Sequence, residues 1–205
     1  MSLFPVIIDG KVKVIILEVF RLKKWLKEIV GWGGSIALGF VLSMIIGIFV
    51  IQPYRVDGHS MEPTLNDKQR IYAWKFAHVL EKLPEYGDIV ILDSRVDRSR
   101  TLLDDIKEHP LITWLSGRGQ EDFFYVKRVI GLPGDTIEVK DGHVFRNGEQ
   151  LDEPYIKEKM NAGAAQVWDI PDGYVFVMGD NRNNSNDSRS IGPIPLDHVM
   201  GIDSF

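Results

Sequence analysis

Residues 136–146 read TIEVKDGHVFR, two short β-rich runs, Thr136–Lys140 and His143–Arg146, joined by Asp141-Gly142. A two-residue Asp-Gly link matches the twist of paired strands, so this stretch reads as a β-hairpin. Similar runs lie to either side: Arg70–Trp74, Asp88–Leu92, Phe123–Ile130 and Tyr174–Met178. Turn formers separate them, at Tyr86-Gly87-Asp88, Gly131-Leu132-Pro133-Gly134-Asp135, Asn147-Gly148 and Pro171-Asp172-Gly173. Short strands at this spacing predict a mostly β, antiparallel and partly closed fold.

Upstream the pattern changes. Ile29–Ile51 reads IVGWGGSIALGFVLSMIIGIFVI and contains no charged residue. At about 1.5 Å per residue such a helix crosses a hydrocarbon core of about 30 Å. It is longer than the apolar stretch of a cleaved secretory signal, about 7–15 residues, and begins later, so it reads as an uncleaved anchor. Residues 3–20 are apolar but broken by Pro5, Asp9, Gly10, Lys11 and Lys13, which suits an interfacial or cytoplasmic helix. The expected organisation is therefore a cytoplasmic segment at 1–28, an anchor at 29–52 and a β domain at 53–205.

The whole chain has 205 residues, 24 Lys plus Arg against 29 Asp plus Glu, and a net charge of −5. Its mean hydropathy of −0.07 resembles that of an ordinary soluble protein only because two unlike parts are averaged. Residues 1–52 carry net +3 and the remainder net −8. Arg21, Lys23, Lys24 and Lys27 precede the apolar run, while only Arg55 follows it closely. The positive-inside rule then places the N-terminus in the cytoplasm and the β domain on the exoplasmic side. The acidic balance gives no reason to expect nucleic acid. There is no Cys, which excludes disulfides, zinc thiolates and a cysteine nucleophile.

Ser94–Glu121 interrupts the β pattern. Leu102, Leu103 and Ile106 suggest a short amphipathic helix stopped at Pro110. It reads either as a solvated surface excursion or as a membrane-facing flap carrying Leu111, Ile112, Trp114 and Leu115.

The familiar catalytic patterns are missing. Ser60 lies outside any G-x-S-x-G elbow, and no H-E-x-x-H occurs. His59 adjoins Ser60, but neighbours in an extended segment point oppositely, which places it poorly as a base. His78, His109, His143 and His198 lie in surface-like contexts. No cofactor or metal is called for.

Three segments remain unusual. In Asp57-Gly58-His59-Ser60-Met61-Glu62-Pro63-Thr64-Leu65, Gly58 permits uncommon backbone angles beside Ser60, and Pro63 stiffens the backbone after it. In Tyr125–Asp135, YVKRVIGLPGD, strand alternation places Lys127 on one face and Arg128 on the other, so one cation enters apolar company whichever face is inward. A desolvated Lys loses its proton more readily; the alternative is a pair of edge charges reaching water. Gly179–Arg189, GDNRNNSNDSR, is dense enough in donors and acceptors to orient a buried site, or is a polar loop.

In this order behind an N-terminal anchor, GHSMEPTL, YGDIVIL, YVKRVIGLPGD and GDNRNNSNDSR resemble bacterial type I signal peptidase (leader peptidase), a Ser/Lys serine-protease family. The resemblance covers about residues 53–195. It implies a mostly β catalytic core and cleavage of signal peptides from exported preproteins after small-x-small sites. By the same resemblance Ser60 is the nucleophile, Lys127 the general base, and Ser185 orients the Lys127 amine. Arg128 pairs with Asp180 and Asp187 with Arg189. Tyr125, Val129 and Met61 shield the amine. Gly58 occupies a position where some members carry a hydroxyl completing the oxyanion hole, so here a backbone N–H or water serves. The peptide binds as an added strand. The implied setting is the bilayer, near the export machinery. Two other readings are a self-cleaving Ser/Lys repressor, disfavoured by the apolar span and the missing helix-turn-helix, and a non-catalytic membrane-anchored β peptide-binding module.

Overall fold

The computed structural model describes residues 10–74, 83–96, 98–108, 110–117 and 124–203. His78 and His109, and parts of the 94–121 insertion, fall outside them. The chain divides into a helical unit up to Ile45 and a β unit from Ile46 onward.

The helical unit belongs to α1, Gly10–Phe49, one helix of 40 residues. Its stretch Phe20–Gly47 is long and apolar enough to cross a membrane. The helix runs unbroken through the expected boundary at residue 28. Gly10, expected as a break, is its first residue. Val50 and Ile51, read as the end of the apolar run, lie past it, and Ile51 already begins a strand.

The β unit holds eleven strands among the described residues: β1 Ile51–Arg55, β2 Arg70–Trp74, β3 Ile89–Asp93, β4 Phe124–Gly131, β5 Thr136–Lys140, β6 His143–Arg146, β7 Glu149–Gln150, β8 Gln166–Asp169, β9 Tyr174–Met178, β10 Ile194–Pro195 and β11 Val199–Asp203. A seven-stranded sheet has the order β1-β2-β11-β3-β4-β9-β10, and a four-stranded sheet the order β7-β6-β5-β8. The strand pairings are antiparallel, as the hairpin pattern predicts. Asp141 (φ 52°) and Gly142 (φ 75°) both adopt positive φ, the signature of the type I′ turn. Asn147 (φ 54°) and Gly148 (φ 83°) repeat it one strand later.

Strand β3, IVILD, is buried at all five positions. Ile89 and Ile91 join a core with Tyr54, Val56, Met61, Leu65, Ile71, Ala73 and Met200. Val90 and Leu92 point into a second core with Val129, Val175, Val177 and Ile194. Two apolar faces make β3 a continuous apolar run rather than an alternating one. A third core, of Ile130, Ile137, Val144, Phe176 and Met178, joins the smaller sheet to β4 and β9. Gly131 ends β4 there, and a Cβ on it would lie 2.4 Å from Ile170 Cδ1.

The insertion forms two short helices, α2 Leu102–Lys107 and α3 Pro110–Leu115. Pro110 therefore opens a helix, where its missing N–H costs nothing, as well as ending the one before. Buried Asp93 at the end of β3 receives Arg95 and Arg100, and Glu108 bridges the same two guanidinium groups. Burial pushes the Asp93 pKa up, but these cations outweigh it and bring it down to about 2. Leu103 and Ile106 of α2 stay exposed.

Candidate active site

Ser60 sits in a turn-rich segment between β1 and β2. Gly58 has φ +101°, a region that L side chains rarely adopt. Its N–H donates to Asp67 Oδ1 at 2.8 Å, which leaves it unavailable to a substrate. The peptide bond Glu62–Pro63 is cis. Asn181, in the loop after β9, pins the segment: its N–H donates to Ser60 O and its Nδ2 to His59 O, each at 3.0 Å. Among the described residues the Ser60 N–H makes no hydrogen bond, so it is free to donate to a developing oxyanion.

Strand β4 brings both cations inward. Lys127 is 4% exposed, opposite Val90 of β3. Its Nζ lies 2.8 Å from Ser60 Oγ and 3.0 Å from Val126 O, and 5.2 Å from the Tyr125 ring centroid. No carboxylate forms an ion pair with it among the described residues. Burial lowers its pKa from 10.5 to about 8; Asp187 and Asp180 oppose the fall and Arg189 adds to it. A buried ammonium without an ion-pair partner loses its proton because the charged form lacks water.

Arg128, on the opposite face, has the partner that Lys127 lacks. Its Nε and Nη2 grip Asp180 at 2.9 and 2.7 Å, and Nη1 donates to Gly87 O at 2.7 Å. Asp180 is fully buried and also accepts from Thr64 Oγ1 at 2.5 Å. The Tyr155 ring lies 4.1 Å from the guanidinium carbon. Thus Asp180 ties the Ser60 segment, β4 and the 179–189 loop together.

That loop follows β9. Asp187 is buried, caps α4 (Ser188–Ile191), and accepts from Arg189 Nε and Nη2 at 2.8 Å each and from Gly179 N–H at 3.0 Å. Burial pushes its pKa up, but Arg189 and the Gly179 N–H hold the carboxyl below its ordinary value. Ser185 Oγ is buried, makes no well-aligned hydrogen bond and helps to lower the Asp187 pKa; the Lys127 amine turns to Ser60 Oγ and Val126 O instead. A Cβ on Gly179 would lie 2.3 Å from Ser185 Oγ and 2.5 Å from Ser60 O. Only a glycine fits between those atoms.

The structure thus gathers Ser60, Lys127, Gly58, Tyr125, Arg128, Asp180, Asp187 and Arg189 around one site, with Ser185 at its edge. Met61 and Val129 are both about 1% exposed, in the cores on either side of β3. His59 turns away, its Nδ1 2.6 Å from Glu62 Oε1, itself paired with Lys157 at 2.7 Å. His198 is buried, with ring nitrogens 3.1 Å from Asp93 O and 2.8 Å from Arg98 O. Asn181, Thr64, Gly179 and Tyr155 were not singled out by the sequence. The first three lie inside the quoted motifs, whereas nothing around Tyr155 marks it.

Ser60 and Lys127 open onto a groove of about 410 Å³. Tyr54, Val56, Ile91, Phe124 and Val126 give it apolar walls, and Asn184 and Asn186 stand at its rim. The combination provides a hydroxyl, a base near neutrality and a free N–H donor, as acyl transfer requires.

A family model described as signal peptidase, peptidase S26, matches residues 23–205. Signal peptidase I of Bacillus licheniformis is 35% identical over 184 residues, 85% of this chain and 86% of its own. Signal peptidase I S of Bacillus subtilis (strain 168) is 33% identical over 190 residues, covering 87% of this chain and 89% of its own. Signal peptidase IB of Staphylococcus aureus (strain COL) is 34% identical over 196 residues, covering 87% and 89%. Among solved structures, a signal peptidase I from Enterococcus faecalis V583 is 28% identical, with a TM-score of 0.40 over 59% of this chain and 97% of that one. The family assignment rests on the sequence matches.

Proposed function

The chain belongs to the signal peptidase family, peptidase S26, and from that premise we propose that it is a membrane-anchored serine endopeptidase that removes signal peptides from preproteins by a Ser60–Lys127 dyad. The observation that carries the dyad is the 2.8 Å contact of Lys127 Nζ with Ser60 Oγ, made by a lysine whose burial lowers its pKa to about 8.

In this reading neutral Lys127 takes the Ser60 proton as Oγ attacks the scissile carbonyl. The Ser60 N–H stabilises the oxyanion. Lys127 then passes the proton to the leaving amine, and water hydrolyses the acyl-enzyme with Lys127 again as base. The acyl part of the peptide lies in the groove beside Phe124–Lys127, as an added strand, with small residues preferred at the first and third positions before the cut. Ser185 adjusts the amine once substrate displaces its present contacts.

The apolar stretch Phe20–Gly47, with Arg21, Lys23, Lys24 and Lys27 at its start, supports an anchor with a cytoplasmic N-terminus and an exoplasmic β domain. Only residues 50–59 separate α1 from Ser60 in the chain, which suits an enzyme that acts on preproteins leaving the export machinery. Incubation with a preprotein bearing Ala-x-Ala, followed by N-terminal sequencing of the product, tests the reading. A single new N-terminus directly after Ala-x-Ala, absent with Ser60→Ala, is expected. Stoichiometric binding without turnover would replace the enzyme with a peptide-binding module.

A further inference from the structure

A second cleft, of about 440 Å³, lies beyond the 183–186 segment from the Ser60 groove. Asn184 and Asn186 line the groove, while Asn183 and Ser185 line the cleft, so alternate residues of one segment face the two cavities. At its base Ser185 Oγ and Ser60 O approach the same side of Gly179. In the reading above the acyl part of the peptide fills the groove, which leaves the cleft across this segment for residues after the cut.

The two cavities differ in chemistry. The groove sets apolar Tyr54, Val56, Ile91, Phe124 and Val126 beside charged groups of both signs, Arg55, Lys68 and Asp57. The cleft is lined by Lys140, Arg182 and Arg189, and by no carboxylate. The carboxylates that pair with these cations, Glu138, Glu153 and Asp187, lie outside its lining.

One donor in the cleft is poorly satisfied. Arg189 Nη1 points to Met160 Sδ at 3.1 Å, a weak acceptor for a charged N–H. Lys140 has a side chain 41% exposed and only Glu138 as an ion-pair partner, at 2.9 Å. An acidic side chain entering the cleft would offer oxygens to the Arg189 Nη1 donor and to the Lys140 ammonium.

We propose that this cleft receives an acidic side chain, Asp or Glu, from the segment of the preprotein that leaves as the new N-terminus. It thereby selects for negative and against positive charge just after the cut. The proposal rests on the peptidase reading above. Lys140 is its most accessible determinant and stands outside the catalytic group.

The test uses the full-length chain in a non-ionic detergent. Preproteins identical up to the cut carry a single Asp, Gln or Lys at each of the first few positions after it, and kcat/KM is measured for each. At one position Asp is expected to exceed Lys by about fivefold or more, with Gln between, the scale of a partly exposed charge pair. Salt of about 0.5 M shrinks the ratio. Lys140→Glu narrows or inverts it while the Gln substrates stay within about twofold of their wild-type rate. Equal rates for Asp and Lys at every position, or a ratio indifferent to Lys140→Glu, overturn the proposal; the cleaved Gln substrates then leave the peptidase reading standing. If no preprotein is cleaved, both fall together.

Discussion

Lys127 Nζ and Ser60 Oγ, 67 residues apart in the chain, lie 2.8 Å from each other, and the lysine has lost nearly all contact with water. A serine hydroxyl is a weak nucleophile until a neighbour removes its proton, and a neutral amine is an adequate base. Replacing either residue with Ala is expected to lower preprotein cleavage by about 10³-fold or more. Lys127→Arg is expected to be equally inactive, since a guanidinium stays protonated. Substantial cleavage by Lys127→Arg would exclude a lysine base.

The working form of Lys127 is the uncharged one, and its pKa is about 8. Below that pH the amine is protonated, so kcat/KM is expected to fall about tenfold per pH unit. Above it the rate levels off. Measuring kcat/KM from mildly acidic to alkaline pH checks this, and a flat profile would contradict it.

The same shift makes Lys127 a cost to stability. Between about 8 and 10.5 the unfolded chain binds a proton that the folded chain does not, so folding stability rises with pH across that window. Below it the penalty is fully present, on the order of 3 kcal/mol. Lys127→Met is therefore expected to raise Tm at neutral pH, with the gain shrinking towards pH 10. An equal gain at both ends would assign the effect to packing instead.

Asp180 is fully buried with Arg128 and Thr64 bonded to it. Asp180→Ala leaves the Arg128 guanidinium enclosed without a counter-charge and is expected to cost about 3–5 kcal/mol, read by denaturant unfolding. A loss below about 1 kcal/mol would mean that water or Tyr155 replaces the carboxylate.

Gly179 separates Ser60 O from Ser185 Oγ with no room for a methyl group. Gly179→Ala must displace the backbone that carries the nucleophile, and a shift of about 1 Å costs about 10²-fold in rate. The expected outcome is a protein that folds yet loses most of its kcat. Unchanged kcat would show that the Ser185 side chain alone moves aside.

Local chemistry made much of this protein legible in its sequence. Residues 70–74, 136–140, 143–146 and 174–178 form strands with the expected bounds, because turn formers on either side leave little freedom at the ends. The short strands at 149–150, 166–169 and 194–195 have no apolar alternation, and only their partners make them strands. Ile51–Arg55 follows directly on an apolar helix, so hydropathy blurred the boundary.

The sequence by itself determined the apolar anchor segment, the antiparallel β class, the absence of thiol chemistry and the candidates Ser60 and Lys127. Alternation along β4 established that Lys127 and Arg128 face opposite ways, but not which of them would stay without a counter-charge. That depended on tertiary structure. Asp180, 52 residues further on, reaches Arg128, while β3 and the Ser60 segment enclose Lys127 with a hydroxyl and no carboxylate in contact. Desolvation and pairing depend on distances between remote segments, so only the folded chain decides which cation becomes the base.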